Sequence, residues 1–172
     1  MGVTNLKTDE LNWYAVYTKS RHERIAQTVL LNRDIVTFLP SREVMSKWKD
    51  RRKIISVPLF PSYVFVKILL KDLPIVIYSR GVLKIVGVNG KPYPIPQEQI
   101  ESVMKLVNSE LKYNPYPYID IGKEVMIKNG PLEGVVGKIV GKRSSKHIFI
   151  LSVDLIKRAV SVEVHVEDIE LL

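Results

Sequence analysis

The 172-residue chain has no cysteine, which excludes disulfides, thiolate metal sites and cysteine nucleophiles together. Histidine is nearly as scarce. His22, His147 and His165 are far apart, and none sits in a His-Glu-x-x-His spacing, so no metal centre is expected. A phosphate-binding loop of the Gly-x-x-x-x-Gly-Lys-Ser/Thr kind is missing too. The Gly-Lys pairs beginning at positions 90, 122, 137 and 141 lack both the glycine five residues earlier and the hydroxyl that follows. There is no Gly-x-Ser-x-Gly elbow for a serine nucleophile. Apolar runs stop at a charge after a few residues, and the opening MGVTNLKTDELNW has no basic-then-apolar layout. Neither a membrane span nor an export signal is predicted, and a soluble cytoplasmic protein is expected. These absences predict a protein that is no enzyme and needs no cofactor.

What is present is a core-forming chain with an uneven charge. Hydrophobic residues make up 46% and charged residues 26%, far from the composition of disordered chains. The net charge of +8 lies wholly in residues 1–112, which hold 18 Lys and Arg against 10 Asp and Glu; the remaining residues balance at 8 against 8. Arg42 to Lys53 alone packs six basic and two acidic residues into twelve positions. A basic first part and a neutral second part predict two modules, the first facing a polyanion. The plainer alternative is a solvated surface.

Periodicity divides the chain the same way. Residues 13–18 read as a strand, and residues 21–32 read as a helix with Ile25, Ala26, Val29 and Leu30 inward and Ser20 as its cap. Residues 36–39 and 54–69 read as strands with the basic cluster as a hairpin or loop between them, and Pro58 and Pro61 mark an edge or bulge. In Tyr63–Ile68, Val64, Val66 and Ile68 alternate with Tyr63, Phe65 and Lys67, so the aliphatic side is core. Residues 73–80 fit no one pattern. Leu83–Val88 reads as a strand, Asn89-Gly90 as a tight turn and Tyr93–Ile95 as the returning strand. Pro96 then starts a helix with Ile100, Val103, Met104 and Val107 on one side. The expected fold class is α+β: an antiparallel sheet with helices over residues 1–110, an extended linker over 111–120, and five short strands forming a small β-barrel over 121–172.

Four stretches together carry a resemblance to a known family: Trp13-Tyr14-Ala15-Val16, VPLFPSYVFVKI at 57–68, SRGVLKIVGVNG at 79–90, and IKNGPLEGVVGKIVG at 127–141. Their order and spacing closely resemble the NusG transcription elongation factors over nearly the whole chain. The resemblance implies an N-terminal NusG-type domain followed by a KOW domain, an SH3-like barrel. Val57-Pro58-Leu59-Phe60-Pro61 and the basic loop at Trp48 look more like the specialised RfaH and UpxY antiterminators of surface-polysaccharide operons. The threonine-rich motif by which RfaH makes a second polymerase contact is absent from 69–80.

The resemblance also implies the partners and their residues. Trp13, Tyr14, Phe60, Pro61, Tyr63 and Phe65 are the positions expected to dock on the clamp helices of the largest RNA polymerase subunit, with Tyr63 the leading contact. Trp13 and Phe65 have a second reading as core aromatics. Lys19, Arg21, His22 and Arg24 at the start of the first helix, with Arg51, Arg52 and Lys53, are expected to meet nucleic acid such as the non-template DNA strand. Trp48 would stack on an unpaired base. In the KOW segment, Pro131, Leu132, Ile156 and Arg158 are the loop positions expected to meet a ribosomal protein or Rho, although Lys157 replaces the usual glycine. Gly130, Gly134 and Gly137 are expected to serve the backbone. Dense Val and Ile predict a stable barrel rather than a helical alternative. A monomer acting as an antitermination factor is the leading functional reading; an RNA- or ribosome-binding protein of the KOW type is the alternative.

Overall fold

A computed structural model describes residues 10–48, 51–118, 122–143 and 146–172. Two compact units emerge, one from residues up to Leu39 together with Pro61–Ile95, the other from Pro40–Phe60 together with Pro96–Leu172. The mixed α+β class expected from the sequence is what the chain adopts.

The first unit contains β1 (Asn12–Thr18), α1 (Glu23–Leu31) and β2 (Val36–Phe38). The excursion β3 (Ser41–Trp48) and β4 (Arg51–Pro58) belongs to the second unit. The chain then returns through β5 (Tyr63–Ile68), a 3-10 turn at Leu70–Asp72, α2 (Leu73–Ile77) and β6 (Val82–Ile85). Strands β2, β5, β1 and β6 lie in that order in one antiparallel sheet. The alternation along β5 sorts side chains as expected. Tyr14, Val16, Val66 and Ile68 face Leu30, Ile35 and Val76 in a closed aliphatic cluster, flanked by Leu70, Leu73, Val82 and Ile85.

Several local expectations are corrected. Helix α1 starts at Glu23, two residues late, because Arg21 has a positive φ of 60° and His22 takes the cap position; Ser20 caps nothing with its side chain. Ile25 points outward and leaves the inner side to Ala26 and Leu30. The unpatterned stretch 73–80 supplies α2, whose Pro74 stands in the first turn, where a missing N–H costs no helix bond. The strand expected over 83–88 is split in two. Its second part, β7 (Gly87–Val88), pairs with β8 (Lys91–Pro92) rather than with 93–95, while Ile95 bridges to Trp13. Asn89 and Gly90 both have positive φ, which suits the two-residue turn whose twist matches its strands.

The second unit holds the β3–β4 hairpin, α3 (Gln97–Asn108), β9 (Tyr113–Tyr116), β10 (Lys123–Ile127), β11 (Val136–Arg143), β12 (Lys146–Val153), β13 (Arg158–His165) and β14 (Ile169–Leu171). Helix α3 buries Ile100, Val103 and Leu106, and it packs along β12. That contact explains why Phe149, Ile150 and Leu151 are all buried although successive strand residues point to opposite faces. The sheet order β14-β10-β11-β12-β13 follows that of a small SH3-like barrel, with β9 added on the edge of β13. Residues 113–116, expected to be an extended linker, are extended but hydrogen-bonded into this sheet.

Candidate partner-binding surfaces

The Phe60-Pro61-x-Tyr63 segment is a turn between hairpin and sheet, and its geometry is fixed from beneath. Ser62 adopts a positive φ of 66°, its N–H donates to the Glu23 carboxylate at 2.7 Å, and its carbonyl accepts from the Thr18 N–H at 2.9 Å. Glu23 is itself buried in the first turn of α1. A buried carboxylate thus ties the turn to the helix start, and a hydrogen bond to a charged group is among the stronger kinds. Sequence reasoning passed over Glu23; an acidic residue within a basic helix start was the one available signal.

The sheet face opposite the aliphatic cluster carries Trp13, Ala15 and Tyr17 on β1, facing Lys67, Phe65 and Tyr63 on β5, with Phe38 opposite Phe65 on β2. Phe38 and Phe65 stack with centroids 6.1 Å apart, and Trp13 meets Phe38 edge-on at 6.5 Å. This face is covered as well: Phe65 is fully buried and Trp13 is 6% exposed. Tyr14 points into the aliphatic cluster, where burial raises its phenol above the ordinary value. Phe60, at the end of the hairpin, is also buried. Trp13, Tyr14, Phe60 and Phe65 thus have almost no accessible surface, and in this structure their rings support the sheet from within. Pro61 is exposed and Tyr63 half-buried, and Tyr63 tilts against Tyr17 at 5.3 Å.

Beside this tyrosine pair the basic residues gather. Lys19, Arg21 and Arg24 are exposed around the start of α1, and His22 Nδ1–H donates to the Ser20 carbonyl at 2.8 Å, leaving Nε2 as an acceptor in the neutral ring. The Lys19 N–H donates to the Gly81 carbonyl at 2.9 Å, which brings exposed Arg80 to the same place. Lys84 Nζ stands 6.0 Å from the Tyr17 ring centroid. Tyr17, Arg80 and Lys84 were not singled out from sequence, since the pairing of β1 with β6 is what brings them next to α1 and Tyr63.

The β3–β4 hairpin is a second basic surface. Arg51, Arg52 and Lys53 are exposed, and Lys47 faces Arg52 across the ribbon. Next along that face, Met45 pairs with Ile54 at 64% and 62% exposure. The Trp48 side chain, with Lys49 and Asp50, lies outside the described residues. In the barrel, Leu132 (1% exposed) and Ile156 (5%) are interior, whereas Pro131 in the turn after β10 and Arg158 at the start of β13 are exposed. Gly130 and Gly134 have positive φ. Gly137 is different: a Cβ there would come within 2.5 Å of the Ile150 carbonyl and the Phe149 ring. Lys157 keeps a left-handed backbone, φ 50°, without being glycine. Among the described residues no three His, Asp or Glu side chains stand together to hold a metal.

A four-stranded antiparallel sheet with helices, a basic hairpin and a six-stranded sheet of short strands define a mixed α+β protein. Residues 11–104 match the family described as transcription termination factor NusG, and the chain belongs to the NusG family. It is similar to the transcription termination/antitermination protein NusG of Staphylococcus carnosus, 26% identical over 93% of this chain and 95% of that one, and to that of Staphylococcus aureus at 27% with the same coverage. A solved structure of Thermotoga maritima NusG shares the fold with a TM-score of 0.58 at 20% identity, covering 96% of this chain and 99% of that one. No helix among the described residues is long and apolar enough to cross a membrane.

Proposed function

We propose that this protein binds RNA polymerase through its NusG-type domain, residues 1–110, and alters pausing and termination without catalysing a reaction, while the KOW domain, residues 121–172, recruits a second protein. The observation that carries the reading is the Pro61–Tyr63 turn, which Glu23 holds in place and which sets Tyr63 against Tyr17 beside the basic start of α1. Fixed, partly exposed aromatics are the side chains that most often anchor protein interfaces. Trp13 and Phe65 act beneath as the support that fixes β1 and β5. Lys19, Arg21, His22 and Arg24, joined by Arg80 and Lys84, hold nucleic acid emerging beside the docked polymerase. Arg51, Arg52 and Lys53 add reach from the hairpin. Lys47 opposite Arg52 supports this, because like charges facing each other across a strand pair repel unless a counter-charge comes from outside. Binding one polymerase conformation better than another is enough to change pausing. The hairpin and its VPLFP run favour a specialised antiterminator over a general factor. Pro131 and Arg158 are the exposed positions that would meet a ribosomal protein or Rho.

The test is co-purification of the full chain with RNA polymerase from its own source, comparing wild type, Tyr63→Ala and an Arg51/Arg52/Lys53 triple alanine variant. Retention by wild type and at least tenfold loss in Tyr63→Ala support docking through the turn. Loss only in the triple variant moves the weight to nucleic-acid tethering. Failure of wild type to bind polymerase, with salt-sensitive sedimentation on ribosomes, supports the KOW-type RNA-binding reading instead.

A further inference from the structure

Ser62 is fastened, through both polar atoms of its backbone, to the two ends of the loop that joins β1 to α1. Its carbonyl accepts from the Thr18 N–H at 2.9 Å, at the end of β1, and its N–H donates to the Glu23 carboxylate at 2.7 Å, at the start of α1. The loop in between, residues 19–22, carries Lys19, Arg21 and His22 and is held again where the Lys19 N–H donates to the Gly81 carbonyl. Next after Ser62 comes Tyr63, opposite Tyr17 in the β1–β5 register. One residue thus braces the basic loop against the tyrosine pair.

The brace holds backbone that side chains resist. Among the described residues, the non-glycine positions with positive φ are Arg21, Asp34, Ser62, Asn89 and Lys157. Aspartate and asparagine tolerate that conformation best; of the other three, Arg21 at 60° and Ser62 at 66° both belong to this brace. A serine in such a conformation persists only where its surroundings over-determine it. The Glu23 carboxylate supplies that hold, because it is buried and a charge-assisted bond shielded from water is strong. A helix start also favours negative charge, so a single group steadies both α1 and the turn.

We propose that Glu23 is the positioning residue of this surface: its carboxylate keeps Ser62 left-handed and so fixes the spacing of Tyr63 and the basic loop for a partner that touches both. Positions 23 and 62 are therefore interdependent. Glycine at 62 adopts positive φ unaided and removes the need for Glu23, whereas serine there requires an acceptor at 23. That the partner is polymerase with its nucleic acid rests on the proposed function.

Nuclear magnetic resonance of the 15N-labelled full chain tests the brace, and retention on polymerase tests its consequence. Glu23→Ala should speed exchange of the Ser62 amide at least tenfold and move the amide signals of Lys19, Arg21 and Tyr63. The double variant Glu23→Ala/Ser62→Gly should return those three signals more than halfway to wild type. Retention on polymerase should fall at least fivefold in Glu23→Ala and recover to within twofold of wild type in the double variant. A role confined to steadying α1 would not be relieved by glycine at 62, so a double variant as shifted as Glu23→Ala overturns the proposal. A Ser62 amide that exchanges at the wild-type rate in Glu23→Ala overturns it as well. Should Glu23→Ala fail to fold, Glu23→Gln keeps the size with a weaker, neutral acceptor and is judged by the same rescue, with two- to fivefold faster Ser62 exchange expected. Wild-type chain that polymerase does not retain overturns the polymerase reading, and the exchange and signal criteria then decide the brace by themselves.

Discussion

The sheet β2-β5-β1-β6 and the hairpin β3–β4 are both antiparallel, both rich in Val and Ile, and separated by only a few residues, yet they end in opposite environments. In the sheet both faces are covered, so even the aromatic side, Trp13, Phe38 and Phe65, is interior. In the hairpin Met45 and Ile54 stay largely exposed beside the Lys47–Arg52 pair. Two paired strands alone have no second layer to pack on, and an isolated hairpin is marginal in water. Its base is held instead by hydrogen bonds to β9. The contrast separates support from exposure: the sheet fixes positions, and the hairpin and the turn at Pro61–Tyr63 leave charge and a tyrosine ring accessible.

The sharpest way to break this comparison is Phe65→Ala. Removing a fully buried ring from the covered aromatic face should cost about 3–5 kcal/mol, read as a lower denaturant midpoint. A cost near zero would mean that the face is open and that Phe65 is available to a partner after all. Gly137→Ala should come next. The added methyl meets the Ile150 carbonyl and the Phe149 ring, so overpacking of about 1–3 kcal/mol is expected in the barrel, with the sheet of the first unit unaffected in near-ultraviolet circular dichroism.

A smaller effect should come from pH. Burial raises the Tyr14 phenol above 10.0, so the unfolded chain releases this proton before the folded one does. Stability from Tyr14 is thus complete below about pH 10 and falls as pH rises past that value. Thermal midpoints measured from pH 8 to 11 should decline at the alkaline end, and Tyr14→Phe should flatten part of that decline. The smallest stability change belongs to the hairpin. The Arg51/Arg52/Lys53 triple alanine variant should leave the denaturation midpoint where it was and yet lower the salt dependence of single-stranded DNA binding, since up to three phosphate contacts are lost. An unchanged salt slope would remove the hairpin from the nucleic-acid surface.

Much of the architecture was legible because local rules set it. Alternation in YVFVKI predicted which side of β5 meets α1, and Asn89-Gly90 marked its turn because both residues tolerate positive φ. Five Val- and Ile-rich segments after Gly122 became the five barrel strands. The surroundings of the candidate residues were legible only in part. Pro61, Lys19, Arg21 and Arg24 are exposed and Tyr63 is half-buried, but Leu132 and Ile156 are interior, and the approach of Lys84 to Tyr17 was hidden because sequence distance conceals β1–β6 pairing.

By itself the sequence determined the class of fold, the absence of thiol chemistry, the place of the positive charge and the resemblance to NusG proteins, because composition, period and motif spacing are properties of the chain alone. Only the tertiary structure decided which aromatics are covered, that Glu23 holds the Ser62 turn, and that the Tyr113–Tyr116 stretch is a strand rather than a tether. Those outcomes depend on what the second face of a sheet or the free edge of a strand meets, and such partners come from residues tens of positions away.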